Sequence, residues 1–200
     1  MAEDRLLTRQ GLRTRGQLLR AGRKALEDRG YNATRIQDIT DAAGVSVGTF
    51  YTYFDSKEEL FRNLLIAVED EVYGELADRR AGADDPAVRI GEANRLYLEA
   101  FRRNARFWAA IAESALSDEE SRRVLTERRR YYRSRTIRAL SRWQERGVIG
   151  TEVEIEAAAE ALGAMTERCA YLWFVFGEPI ELETAVDQVT AIWLATLGVG

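Results

Sequence analysis

The stretch Thr34–Leu60 reads TRIQDITDAAGVSVGTFYTYFDSKEEL, and its reading decides the fold. Ile36, Ile39 and Ala43 recur at three- and four-residue spacing, the pattern of one buried face of a short helix. Thr34, with Gln37 three residues on, predicts a capping box at its start. Ala43-Gly44-Val45-Ser46 then breaks the pattern. Gly44 suits a helix stop with a left-handed backbone, and Ser46 suits the N-cap of the next helix. A second short helix is predicted over 47–54, with Phe50 and Phe54 four apart on its inner face. Two short helices joined by a tight Gly-containing turn form a helix-turn-helix, whose second helix enters a DNA major groove.

At fixed spacing the stretch carries Thr34, Ile39, Ala43-Gly44-Val45-Ser46, Gly48, Tyr51, Tyr53-Phe54, Lys57-Glu58 and Leu60. On these residues it resembles the DNA-binding domain of the TetR family of transcriptional regulators. That family's pattern is roughly T-x-x-x-x-I-A-x-x-A-G-V-S-x-G-x-x-Y-x-Y-F-x-x-K-E-x-L. Thr40 stands where the family usually has Ala. The motif covers a small part of the chain, and the remainder resembles the family in layout only. The resemblance implies an all-α fold of about nine helices. An N-terminal three-helix helix-turn-helix DNA-binding domain (residues 1–57) would be followed by a C-terminal helical-bundle domain (58–200) for effector binding and dimerisation, with helix 4 connecting them.

Two hundred residues suffice for one or two domains with a sizeable core. The N-terminus is charged from its third residue, unlike a signal peptide. The longest apolar run, 169–176, is too short to span a membrane. A single cysteine excludes an internal disulfide, and the expected location is cytoplasmic. The chain has no histidine, which removes the commonest general base and metal ligand. It also lacks a Gly-rich phosphate loop, a cysteine cluster and paired carboxylates in an apolar setting. No enzyme activity, metal or cofactor is therefore expected.

The net charge of −4 is unevenly spread. Residues 1–57 hold ten Lys/Arg against seven Asp/Glu, a balance of +3. Residues 147–200 hold one basic residue, Arg168, against nine acidic ones, a balance of −8. Such a chain suits contact with DNA at one end only.

Helix 1 is predicted over 12–29, with Leu18, Leu19, Ala25 and Leu26 buried and Gly22 open to a close neighbour. Residues 1–11 read as a mobile arm, where Arg5 and Arg9 could reach a phosphate or a minor groove. Ser56 and Glu59 form a capping box for helix 4, predicted over 57–80 and about 35 Å long. Residues 81–86 are a linker whose Asp85-Pro86 starts helix 5. A short helix 6 follows, and Ser117 with Glu120 caps a helix 7 that ends at Gly147. Helices 8 and 9 are predicted over 153–176 and 181–197, and strand signals are absent.

For DNA reading, Val47, Gly48 and Thr49 lie at the end of the recognition helix that meets base edges. Thr49, Tyr51 and Tyr53 offer hydroxyls to phosphates. Thr34 and Arg35 sit where the free N–H groups of helix 2 favour a phosphate. The resemblance implies the same phosphate role for Tyr51, Tyr53 and Lys57, and base approach for Val47 to Thr49.

The resemblance also implies a pocket for a small-molecule effector. Phe101, Phe107, Trp108 and Ile111, with Tyr131, Tyr132, Met165, Cys169 and Trp173, could line it; a filled core explains the same residues. The family pairs its last two helices with those of a second copy. Here helix 8 offers Ala158, Ala161, Leu162, Met165, Leu172 and Phe176, and helix 9 offers Val186, Val189, Ile192 and Trp193. Ten arginines between Arg122 and Arg146 read first as a solvated face, with a second nucleic-acid surface or an anionic effector as the alternatives.

The expectation is a homodimeric regulator, a repressor by family habit, binding a palindromic double-stranded DNA operator and released by a small effector. The alternative is an all-helical ligand-binding or interaction protein with a non-functional DNA-binding head.

Overall fold

A computed structural model describes residues 8–78, 85–117 and 119–199; within them, the side chains at 69–78, 113–117, 120, 121, 124 and 128 are not described. Nine α-helices and no strand occur among the described residues: α1 (Arg9–Arg29), α2 (Ile36–Ala43), α3 (Val47–Tyr53), α4 (Lys57–Asp78), α5 (Pro86–Arg103), α6 (Ala105–Ser117), α7 (Glu119–Glu145), α8 (Ile155–Phe174) and α9 (Leu182–Leu197). The chain packs as two units, one of residues 1–68 with 109–122, the other of 69–108 with 123–200.

In the first unit α1 starts earlier than the apolar pattern predicts. Thr8 accepts a hydrogen bond from the Gly11 amide, so residues 9–11 are helical rather than part of an arm. Arg5 and the rest of residues 1–7 lie outside the described residues. Leu18 and Leu26 are fully buried, while Leu19 is half-buried. Gly22 meets α4 so closely that a Cβ there would lie 2.5 Å from Leu60 Cδ2. Any larger residue would force the buried Leu60 side chain to shift. Leu60, Phe61, Leu64, Leu65 and Val68 bury the first part of α4. Ser56 accepts from the Glu59 amide and Glu59 accepts from the Asp55 amide, so the predicted cap forms with its return bond one residue earlier.

In the second unit Asp85 caps α5 through the Ala87 amide, with Pro86 in the first turn. The rest of the predicted linker, 81–84, lies outside the described residues, as do the Ser117 and Glu120 side chains of the predicted α7 cap. Helix α5 packs against α9 and α8. One core cluster joins Ile90, Leu140, Trp143, Ile155, Leu162 and Leu197. A second joins Leu98, Phe101, Ala170, Ala185, Val186 and Val189. Two partly buried polar pairs lie between the helices: Trp193 Nε1 donates to Thr166 Oγ1 at 3.0 Å, and Asn94 Nδ2 donates to Thr190 Oγ1 at 3.2 Å. Gly147, Gly177 and Gly198, all at positive φ, end α7, α8 and α9.

Candidate nucleic-acid interface

The helix-turn-helix is built around its turn. Gly44 takes a left-handed conformation (φ +68°), and its amide reaches back to the carbonyls of Asp41 and Thr40. The Val45 amide donates to the Thr40 carbonyl at 3.0 Å, which satisfies the end of α2. Ser46 Oγ then accepts from the Thr49 amide at 3.1 Å and starts α3. Thr40 itself is fully buried and donates its hydroxyl to the Gln37 carbonyl, so the extra polar atom is satisfied.

Helix α3 splits into two faces. Phe50 and Phe54 are buried and tilted against one another at 5.7 Å. Gly48, Tyr51 and Thr52 lie on the opposite side and are exposed, Tyr51 at 53%. Val47, Thr49 and Tyr53 are half-buried, and Thr49 Oγ1 lies 2.9 Å from Ser46 Oγ. A Cβ on Gly48 would meet nothing nearer than Ser46 Oγ at 3.7 Å. The fold itself therefore does not require glycine there, and glycine costs helix stability. Thr52, outward with Gly48 and Tyr51 and donating to the Gly48 carbonyl, was missed by sequence reasoning. The i, i+4 spacing from Gly48, opposite Phe50 and Phe54, was the signal for it.

Two expected phosphate contacts are corrected by their surroundings. Thr34 is buried at 1%; its hydroxyl donates to the carbonyls of Gly30 and Ala25, and its amide bonds the Tyr31 carbonyl. It holds the α1–α2 turn and presents nothing to a phosphate. The N-cap of α2 is Arg35, and Asp38 rather than Gln37 supplies the capping carboxylate, accepting from the Arg35 amide at 3.0 Å. Gln37 bonds Asp41 instead. Lys57 Nζ donates to the Tyr31 and Thr34 carbonyls at 3.0 and 3.1 Å and lies 4.3 Å from the centre of the Tyr31 ring. Tyr31 is held in turn by Glu58 and Phe61. Lys57 thus clamps the turn before α2. Arg35 remains exposed at the start of that helix.

Electrostatics support the same corner. The Arg35 amide and, after it, the Arg29 guanidinium hold the Asp38 carboxyl below the usual carboxylate range. The Arg29–Asp38 pair, at 2.5 Å, ties the end of α1 to the start of α2. Arg15 stacks over Phe54 and donates to Asn63, so it serves the core.

In the second unit the expected ligand residues divide. Phe101 stacks on Trp108 at 5.7 Å and meets Tyr171 edge-on at 5.0 Å; Met165 and Trp173 join the same cluster. Tyr171 donates to the Trp108 carbonyl, and burial pushes its hydroxyl up to about 12. Burial raises Tyr97 in the same cluster still further. Phe107 is fully buried and edge-on to Trp108, and Cys169 is half-buried with its thiol pushed up by burial and by Glu178. Two expectations fail. Tyr131 is 54% exposed, lying edge-on to the half-buried Tyr132, and encloses nothing. Ile111 is buried but belongs to the first unit.

The expected dimer residues divide too. Ala158, Leu162, Val186 and Val189 are buried in this chain's own core, and Met165 and Trp193 are half-buried there. They are corrected to core. Leu172 is half-buried, while Ala161, Phe176 and Ile192 lie outward. Ala157 shares the outward side of α8, and Ala191 and Ala195 that of α9.

Comparison with known proteins agrees with this geometry. Residues 18–64 match the sequence model of bacterial regulatory proteins, tetR family. The chain is 27% identical over 190 residues to the HTH-type transcriptional repressor KstR2 of Rhodococcus jostii, covering 90% of this chain and 89% of that one. It is 25% identical to the HTH-type transcriptional regulator TtgR of Pseudomonas putida, covering 88% and 87%. The fold matches a crystal structure of a TetR-family protein from Syntrophomonas wolfei with a TM-score of 0.82 at 23% identity, over 94% of this chain and 97% of that one. These sequence relatives are transcriptional regulators rather than enzymes. The family-model match over residues 18–64 and these relatives along most of the chain support a TetR-family transcriptional regulator.

Proposed function

We propose that the chain is a homodimeric repressor that binds a palindromic operator and is released by a small, mostly apolar effector. The carrying observation is the open face of α3: Gly48, Tyr51 and Thr52 stand outward over a fully buried Phe50. Gly48 admits close approach of a base edge, beside Val47 and Thr49. Tyr51, Tyr53 and Arg35 supply phosphate contacts, which fix register without reading sequence. These residues lie in 1–57, to which we assign DNA binding; effector binding and dimerisation are assigned to 58–200.

The second copy is placed on the outward sides of α8 and α9, where Ala157, Ala161 and Ala191 allow close helix approach beside Phe176 and Ile192. Two-fold pairing would set two α3 helices in successive major grooves of a palindrome. The effector is assigned to the Phe101–Trp108–Tyr171 cluster, whose protonated tyrosine hydroxyls suit a ligand with few polar groups. By linkage, effector and operator must weaken one another by the same factor.

The test is binding to DNA from upstream of the protein's own gene, beside an unrelated duplex, at two salt concentrations. Tight, salt-dependent and selective binding by a dimer supports the reading. Equal, weak binding to both duplexes, with no fragment recovered by genome-wide selection, removes it. Effector affinity that is identical with and without operator removes the release mechanism alone.

A further inference from the structure

Helix α7 treats its arginines in two ways. On the side toward α8, Arg129 pairs with Glu167 at 2.9 Å, and Arg133 reaches Glu160 at 3.0 Å and Glu156 at 3.6 Å. Arg130, Arg138 and Arg142 are exposed, and none makes an ion pair among the described residues. With Ser134 they recur every four residues, a line along one side of the helix about 18 Å long. Arg138 donates to Ser134 Oγ and Arg142 to the Arg138 carbonyl, so the row is held along the helix. Beside it Tyr131 is 54% exposed with the Arg135 guanidinium 5.8 Å from its ring centre.

We propose that this outer face of α7 — Arg130, Ser134, Arg138 and Arg142, with Tyr131 — is a second, sequence-independent contact surface for a nucleic-acid phosphodiester backbone. Like charges four apart on a helix repel, as Arg138 and Arg142 do, and no ion pair among the described residues relieves them. An outside anion does. Guanidinium forks fit phosphate oxygens, and a row of them fits a repeating anion better than a single one. Serine and tyrosine hydroxyls are ordinary phosphate donors.

Other polyanions fit less well. A membrane-surface helix offers an apolar face to lipid, whereas Leu140 and Trp143 of α7 are buried in their own core. The acidic surface of a second copy is partly occupied: Glu156, Glu160 and Glu167 are held by Arg133 and Arg129, and Glu183 by Arg95.

The test is a salt titration of binding to an unrelated duplex, followed by fluorescence anisotropy, with the full chain and its R130Q/R138Q/R142Q variant. Each backbone contact adds about 0.9 to the slope of log K against log salt, so losing three lowers it by about 2.7. Affinity for operator and unrelated duplex falls by the same factor. The R130K/R138K/R142K variant keeps most of the slope, because phosphate attracts either cation. An unchanged slope in a triple-glutamine variant that melts like the parent overturns the proposal. So does a variant that keeps its DNA binding while losing affinity for phosphatidylserine vesicles or polyglutamate. A parent chain without operator selectivity counts against the proposed function instead; the slopes on unrelated DNA still decide the α7 contact.

Discussion

Helices α3 and α8 each bury one face and leave the other open, yet only α3 announces which is which. Its inner face is aromatic (Phe50, with Phe54 just after it), and its outer face is glycine, a phenol and a hydroxyl. In α8 small or apolar residues occur on both sides: Ala158, Leu162 and Ala170 point inward, while Ala157 and Ala161 point outward beside charged residues, and Phe176 just beyond the helix is 63% exposed. Hydrophobicity identifies the inside only when the two faces differ. Where they do not, a helix has room for a second partner, and sequence alone does not say which side takes it.

The sharpest break of this comparison is a pair of aromatic truncations. Phe50→Ala should cost about 3–5 kcal/mol in the first unit and abolish DNA binding there, read by thermal melting and anisotropy. Phe176→Ala should leave subunit stability within about 0.5 kcal/mol and weaken self-association in sedimentation equilibrium. Equal effects of the two on melting would erase the distinction between buried and open aromatic.

Next comes Lys57. From sequence alone Lys57→Ala lowers the salt slope by about one through a lost phosphate contact. The clamp on Tyr31 and Thr34 predicts another result: about 1–2 kcal/mol of lost stability, an unchanged slope, and weaker binding to all duplexes alike. A variant that melts normally but loses one unit of slope would return Lys57 to the phosphate.

Gly48→Ala separates folding from reading. It should stabilise the first unit by about 0.5 kcal/mol, since a Cβ has space within the chain. It should also weaken operator binding roughly tenfold, about 1.4 kcal/mol. Unchanged binding would show that α3 does not approach DNA through Gly48.

The smallest effect concerns Asp38, whose folded carboxyl is held below its ordinary range by the Arg35 amide and Arg29. A depressed carboxylate contributes stability that is present above its unfolded pKa. That stability is lost as pH falls through the lowered folded value. Asp38→Asn should therefore lower the melting temperature slightly at neutral pH, with the gap to the parent closing in acid. A gap that stays constant with pH would exclude the ion pair and cap as its source.

Much of the reading head was legible because its signals are local. Gly44 stops one helix and Ser46 starts the next within a single turn of chain, so geometry follows from neighbours in sequence. Thr34 and Lys57 were misread because both are defined by distant partners: Ala25 and Gly30 for Thr34, Tyr31 and Thr34 itself for Lys57. A threonine at a helix start and a lysine after a recognition helix look polar and available until the turn between α1 and α2 closes over them.

By itself the sequence determined the helices, their stops and the two faces of α3, through periodicity, caps and glycines that act over three or four residues. Tertiary structure alone decided that Val186 and Leu162 are core while Phe176 and Ile192 lie open. It also decided that Arg129 and Arg133 of α7 meet carboxylates, while Arg130, Arg138 and Arg142 meet none among the described residues. The reason is that burial and charge pairing are properties of two surfaces brought together, and one helix's sequence records only its own.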